Sequence, residues 1–180
     1  MKITVYCGSN PGHNLKFAKA TQQLGRWIGH NGHDLVYGGG TKGLMGIVAD
    51  TVLDEGGQVY GIIPTVLEGI EFKHPLVQHM EIVDTMAQRK TRMIELGDAF
   101  IALPGGVGTL EEIAEILSLI RIGILDKPAI LYNINGYYQP LQQQLQAMIE
   151  DGFLSQNIAD KFFFSDSLEA IDQFIRHFYR

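Results

Sequence analysis

The strongest constraint on the fold is an alternation. Short β-rich runs at Ile3–Cys7, Asp34–Tyr37, Gln58–Ile63, Met80–Val83, Ala99–Leu103 and Pro128–Tyr132 are separated by stretches with helical patterning near 15–30, 43–55, 85–97, 109–123 and 137–151. Several runs are apolar without a polar alternate, as strands covered on both faces of a parallel sheet require. The apolar "KFFF" reads as an edge strand, with a last helix near 167–178. Strand–helix alternation of this kind builds right-handed βαβ units, so the expected fold is α/β: a Rossmann-like, doubly wound, mainly parallel sheet flanked by helices. No repeat or linker divides the chain, and residues 1–180 are expected to form one domain.

In such a sheet ligands bind beyond the carboxyl ends of the strands. Three glycine-rich turns follow strands: "CGSNPG" (7–12), "GGGTKG" (38–43) and "PGGVGT" (104–109). Their convergence on one sheet edge suggests a nucleotide or sugar-phosphate pocket, with Gly8, Ser9, Gly39 and Gly40 as contacts from the first two. "GGGTKG" matches the dinucleotide fingerprint literally. It follows the second strand, however, and the next strand ends "GIIPT" without the carboxylate that would hold a ribose. Turn glycines that only pack, or a different phosphate-bearing ligand, remain open for it. The Lys-Ser/Thr ending of a phosphate loop is absent.

"PGGVGT" is more specific. Gly105, Gly106 and Gly108 remove side chains around Val107, and Thr109 opens the following helix with a hydroxyl. Backbone N–H groups there can face a phosphate, helped by the positive end of the helix dipole. The plainer alternative is a tight turn with Thr109 as N-cap, where Glu111 and Glu112 merely complement that dipole. The preceding helix carries Arg89, Lys90 and Arg92 within one turn, Arg89 and Arg92 sharing a face. Positive charge near a helix start needs a compensating anion, from a ligand or a partner residue; a solvated cluster is the alternative.

Composition narrows the partners. A net charge of −6 argues against nucleic acid or an anionic membrane, and the single cysteine, Cys7, fits a reducing compartment. The N-terminal apolar run is too short for a signal peptide and no segment reaches membrane-spanning length, so a soluble cytoplasmic protein is expected. His30 and His33 straddle a turn, and no metal-binding spacing occurs, so no metal is expected. Cys7 reads as inert and Ser9 as a hydrogen-bonder, not a nucleophile. Glu71 and His74, in "LEGIEFKHPL", form part of a lid or decorate a surface loop. The helix in "EEIAEILSLIRIGIL" is apolar almost all round its wheel, which favours a homodimer interface over a well-covered monomer.

Together these motifs resemble the LONELY GUY (LOG) family of cytokinin riboside 5′-monophosphate phosphoribohydrolases, formerly labelled "lysine decarboxylase-like". The signature P-G-G-x-G-T-x-x-E appears as Pro104 to Glu112, and the Arg-Lys pair as Arg89 and Lys90. "YCGSNPG", "LVYGGGTKGLMGIVAD" and "KPAILYNINGYYQPL" also look like family segments; Ala87 stands where many members carry histidine. The resemblance implies hydrolysis of the N-glycosidic bond of an AMP-like nucleoside 5′-monophosphate, giving free base and ribose 5-phosphate without a cofactor. It implies Glu112 and Arg89 as catalytic residues, Lys90 and Glu71 as nucleotide contacts, and the 105–109 backbone as the phosphate site. A non-catalytic nucleotide-binding protein using the same pocket is the alternative.

Overall fold

A computed structural model describes residues 1–67 and 73–180. Its strands are β1 (Lys2–Tyr6), β2 (Asp34–Tyr37), β3 (Val59–Pro64), β4 (His79–Val83), β5 (Ala99–Ala102), β6 (Ala129–Tyr132) and β7 (Phe162–Ser165). Helices α1 (Leu15–His30), α2 (Gly43–Asp54), α3 (Met86–Leu96), α4 (Val107–Arg121), α5 (Gln139–Glu150), α6 (Gln156–Ala159) and α7 (Leu168–Phe178) lie between and after them. The strands form one sheet in the order β4-β3-β2-β1-β5-β6-β7, and all neighbours are parallel. "KFFF" does supply an edge strand, β7. The short α6, which has no apolar periodicity to announce it, was not expected.

The lack of alternation in the strands has the anticipated cause. Ile3, Val5, Leu35 and Ile101 face one apolar layer with α1, α2 and α7. Tyr6, Val36, Phe100 and Ala102 face a second layer with α3 and α4. Local chemistry sets the helix starts. Asn14 accepts a hydrogen bond from the Lys16 N–H at 3.0 Å to open α1. Thr85 and Gln88 form a reciprocal capping box on α3.

The order reverses between β1 and β5, since β1 connects outward to β2 while β5 connects outward to β6. A crevice opens at such a switch point, bounded by the chain leaving each strand. Here those segments are Cys7–Gly12 and Leu103–Gly106. Among the described residues no helix is long and apolar enough to cross a membrane.

Candidate active site

The two segments meet glycine to glycine. The Gly8 N–H donates to the Pro104 carbonyl at 3.2 Å. A side chain on Gly8 would meet the Gly105 Cα at 3.3 Å, and one on Gly105 would meet the Gly8 nitrogen at 2.9 Å as well as Thr109. Helix α4 begins at Val107, two residues before the expected start, so Gly106 is its N-cap and makes no side-chain capping bond. Thr109 is not the cap but a buried first-turn residue, packed beneath Gly105. The first backbone bond of α4 runs from the Leu110 N–H to the Gly106 carbonyl, which leaves the amides of Val107, Gly108 and Thr109 directed out of the helix end.

Gly106 and Gly108 differ from their neighbours. A Cβ on either would meet no atom within 4 Å, and neither has a positive φ. Neither packing nor backbone strain requires glycine there. Close approach of something outside the fold would.

A cleft of about 300 Å³ opens beside this turn, lined by Gly8, Ser9, Gly106, Thr109, Arg89 and Glu112 among others. Arg89 comes from the first turn of α3 and Glu112 from the second turn of α4, so the two helices flanking β5 each contribute one charge. Arg89 is 7% exposed; its Nε donates to the Ile62 carbonyl at 3.2 Å and its Nη1 lies 3.5 Å from Glu112 Oε1. Gly38 makes the seat, because a side chain there would collide with the guanidinium. Beneath the pair lies the Tyr6 phenol, whose pKa is raised well above 10.0 by burial first and by Glu112 next, so it stays neutral.

The compensation of the basic triplet is therefore intramolecular. Lys90 does not itself line the cleft: its ammonium binds Glu111, which does, and lies 3.0 Å from Glu115 Oε2, and these two carboxylates raise its pKa. Arg92 diverges from Arg89 to bond Glu81 on β4 at 2.8 Å and Glu95 at 2.6 Å. Glu111 is thus an ion-pair partner and not only a helix-end charge. Gly39 and Gly40 lie outside the cleft, buried at the end of β2. The Gly39 carbonyl accepts from the His74 N–H at 3.1 Å, and Gly40 pairs with Lys73. Glu71 falls outside the described residues. His74 is no surface decoration: it is 6% exposed, with Nε2 2.9 Å from Asp50 Oδ1.

Four contributors escaped the sequence reading. Met45 and Met86 line the cleft. Tyr137 and Tyr138 bond the carbonyls of Gly105 and Leu103, the latter at 2.7 Å. The adjacent tyrosines of "NGYYQP" were the available signal, because a tyrosine that is partly buried needs a partner for its hydroxyl.

Comparison with known proteins shows the family. A family described as "Possible lysine decarboxylase" matches residues 45–174. The probable cytokinin riboside 5′-monophosphate phosphoribohydrolase LOGL1 of Oryza sativa subsp. japonica is 46% identical over 153 residues, spanning 85% of this chain and 69% of that protein. The chain belongs to the LONELY GUY family. A second LONELY GUY relative, the cytokinin riboside 5′-monophosphate phosphoribohydrolase of Rhodococcoides fascians, is 44% identical over 154 residues, 85% of this chain and 78% of its own. Among solved structures, the molybdenum cofactor binding protein of Rippkaea orientalis superposes with a TM-score of 0.76 at 23% identity, covering 99% of this chain and 97% of its own. That likeness speaks for the Rossmann-like fold alone.

Proposed function

We propose that the protein hydrolyses the N-glycosidic bond of adenosine 5′-monophosphates, including N6-modified ones, to free base and ribose 5-phosphate. The observation that carries this reading is the Arg89–Glu112 pair standing one helical turn from a glycine turn whose Gly106 and Gly108 have no structural reason to be glycine. The names of the relatives support the same chemistry.

The division of labour follows from the positions. The 106–109 amides at the start of α4 receive the 5′-phosphate, with Gly8 and Ser9 closing the opposite side. This sets the ribose over Glu112. As the C1′–N9 bond breaks, its electron pair leaves with the purine and positive charge grows on the sugar, as in glycoside hydrolysis. The Glu112 carboxylate stabilises that charge and takes a proton from the water that adds to C1′, while the departing base takes up a proton from solvent, to which Glu112 then returns its own. Arg89 orients the carboxylate. Lys90, fixed on the carboxylates of Glu111 and Glu115, reaches the nucleotide only by exchanging one of them. Gly39 and Gly40 are proposed to act from the end of β2, and Glu71 is proposed as a further nucleotide contact.

The whole chain, residues 1–180, works in this account as one nucleotide-binding domain, in the cytoplasm, with neither nucleic acid nor membrane as partner and with no cofactor. It acts as a homodimer. The support is an apolar groove between α4 and α5, lined by Ala114, Leu117, Leu145, Met148 and Phe153, the last of them 73% exposed. Incubation with AMP or isopentenyladenosine monophosphate tests the activity: equimolar base and ribose 5-phosphate are expected. Saturable binding with no base released would assign a non-catalytic nucleotide binder.

A further inference from the structure

Three consecutive carbonyls lead into the glycine turn, and each is held by a donor from elsewhere in the fold. The Leu103 carbonyl accepts from the Tyr138 hydroxyl at 2.7 Å, the Pro104 carbonyl from the Gly8 N–H at 3.2 Å, and the Gly105 carbonyl from the Tyr137 hydroxyl. The fourth, Gly106, accepts the first bond of α4. A turn that binds an anion must keep its carbonyl oxygens away from the ligand and its amides toward it. In a planar trans peptide the C=O and the following N–H point in opposite directions, so holding one orients the other.

Tyr137 occupies a telling place in this set. It is 42% exposed and, with Gly105 and Gly106, lines two cavities to which neither Arg89 nor Glu112 contributes. Its ring packs edge-on against Phe17 at 5.6 Å and against Tyr138 at 5.1 Å, which fixes where the hydroxyl ends. The segment that carries it is itself held. Asn135 has a φ of 55° and accepts from Lys16 Nζ at 3.1 Å, and Asn133 Oδ1 accepts from the Tyr138 N–H at 2.6 Å. Such support exceeds what a half-exposed loop tyrosine needs for packing alone.

We infer that Tyr137 is a positioning residue for the anion site: by holding the Gly105 carbonyl on its own side, it turns the Gly106 N–H toward the Arg89–Glu112 cleft, where the 5′-phosphate of the substrate binds. The inference rests on the phosphate assignment made above. Tyr138, one residue on, holds the neighbouring Leu103 carbonyl from within the core, and its hydroxyl is buried. The two tyrosines therefore separate by experiment: removing the Tyr138 hydroxyl lowers stability, whereas removing that of Tyr137 changes recognition.

The test uses Tyr137→Phe in the full chain, with ribose 5-phosphate and ribose as calorimetric probes and AMP as substrate. Tyr137→Phe is expected to weaken ribose 5-phosphate binding roughly five- to tenfold, the scale of one hydrogen bond, and to leave ribose unaffected. The KM for AMP should rise by the same factor with kcat within about twofold and Tm unchanged. Unchanged affinity for ribose 5-phosphate, a fall in kcat at constant KM, or no binding of ribose 5-phosphate by the wild-type chain would overturn the inference. A wild-type chain that binds ribose 5-phosphate but releases no base from AMP overturns the hydrolase reading; a Tyr137→Phe loss of phosphate affinity would then still support the positioning role.

Discussion

Arg89 Nη1 stands 3.5 Å from Glu112 Oε1, and neither residue is more than 8% exposed. The pair spans the two helices that flank β5, so the same contact that orients a carboxylate at the cleft also ties α3 to α4. Each charge is tolerated at that depth because the other is present.

Glu112→Gln separates those two roles. If the carboxylate acts on the ribose and on water, kcat should fall by roughly 10²–10⁴-fold, the range for a positioned acid–base group. The loss of stability should stay below the roughly 3–5 kcal/mol of a fully enclosed broken pair, because the amide fills the same space beside the cleft. Steady-state kinetics and denaturant melts on the same preparation check both. Full turnover in the mutant would remove Glu112 from the mechanism.

Gly108→Ala addresses the glycine turn. Its added methyl meets no atom of the fold and replaces glycine in the first turn of a helix, so Tm should hold or rise slightly. The KM for AMP should nevertheless increase by about fivefold or more, since the methyl stands beside the backbone amides proposed to receive the phosphate. An unchanged KM would mean that this glycine does not face the ligand.

His33 gives the fold a pH dependence remote from the cleft. Burial lowers its pKa from 6.5, aided by the N-terminal amine and Arg176 and opposed by Asp172. Between the lowered value and 6.5 the unfolded chain carries more protons, so unfolding free energy rises with pH there. The contribution is fully present above 6.5 and is lost as pH falls through the lowered value. Denaturant melts at about pH 5 and about pH 8 should differ less for His33→Phe, which keeps an aromatic ring against Trp27.

Phe153→Asp tests the proposed dimer. Phe153 is 73% exposed at the end of the α4–α5 groove, and a carboxylate there costs an isolated chain little while opposing burial against a second copy. Light scattering should report a dimer for the wild-type chain and a monomer for the mutant. A monomeric wild type would contradict the assignment of this face.

How much of this was legible in the sequence depends on distance along the chain. β1, β2, β3, β5 and β6 were readable because burial on both sheet faces leaves continuous apolar runs, whereas β4 is an edge strand without a buried residue; β1 to β6 all fall within a residue or so of their expected limits. The approach of Pro104–Thr109 to Cys7–Gly12 follows from parallel topology, since both leave carboxyl ends of neighbouring strands. What local pattern could not reveal was pairing across elements. Spacing put Arg89 and Arg92 on one face, yet Glu112 draws one and Glu81 the other. Lys90 carries the same charge as Arg89, but Glu111 and Glu115, four apart on α4, neutralise it in place of Glu112. The first glycine of "GGGTKG", where the sequence left a packing role open beside a phosphate-bearing ligand, seats a guanidinium. The helix-start signal at Thr109 failed because Gly106 can begin the helix without a side-chain cap.

The most direct test is the rate of base release from a nucleoside 5′-monophosphate set against that from the matching riboside, read chromatographically with and without Glu112→Gln. The account predicts free base and ribose 5-phosphate from the monophosphate, little from the riboside, and loss of the reaction in the mutant. Equal release from both compounds, or none from either, would contradict it.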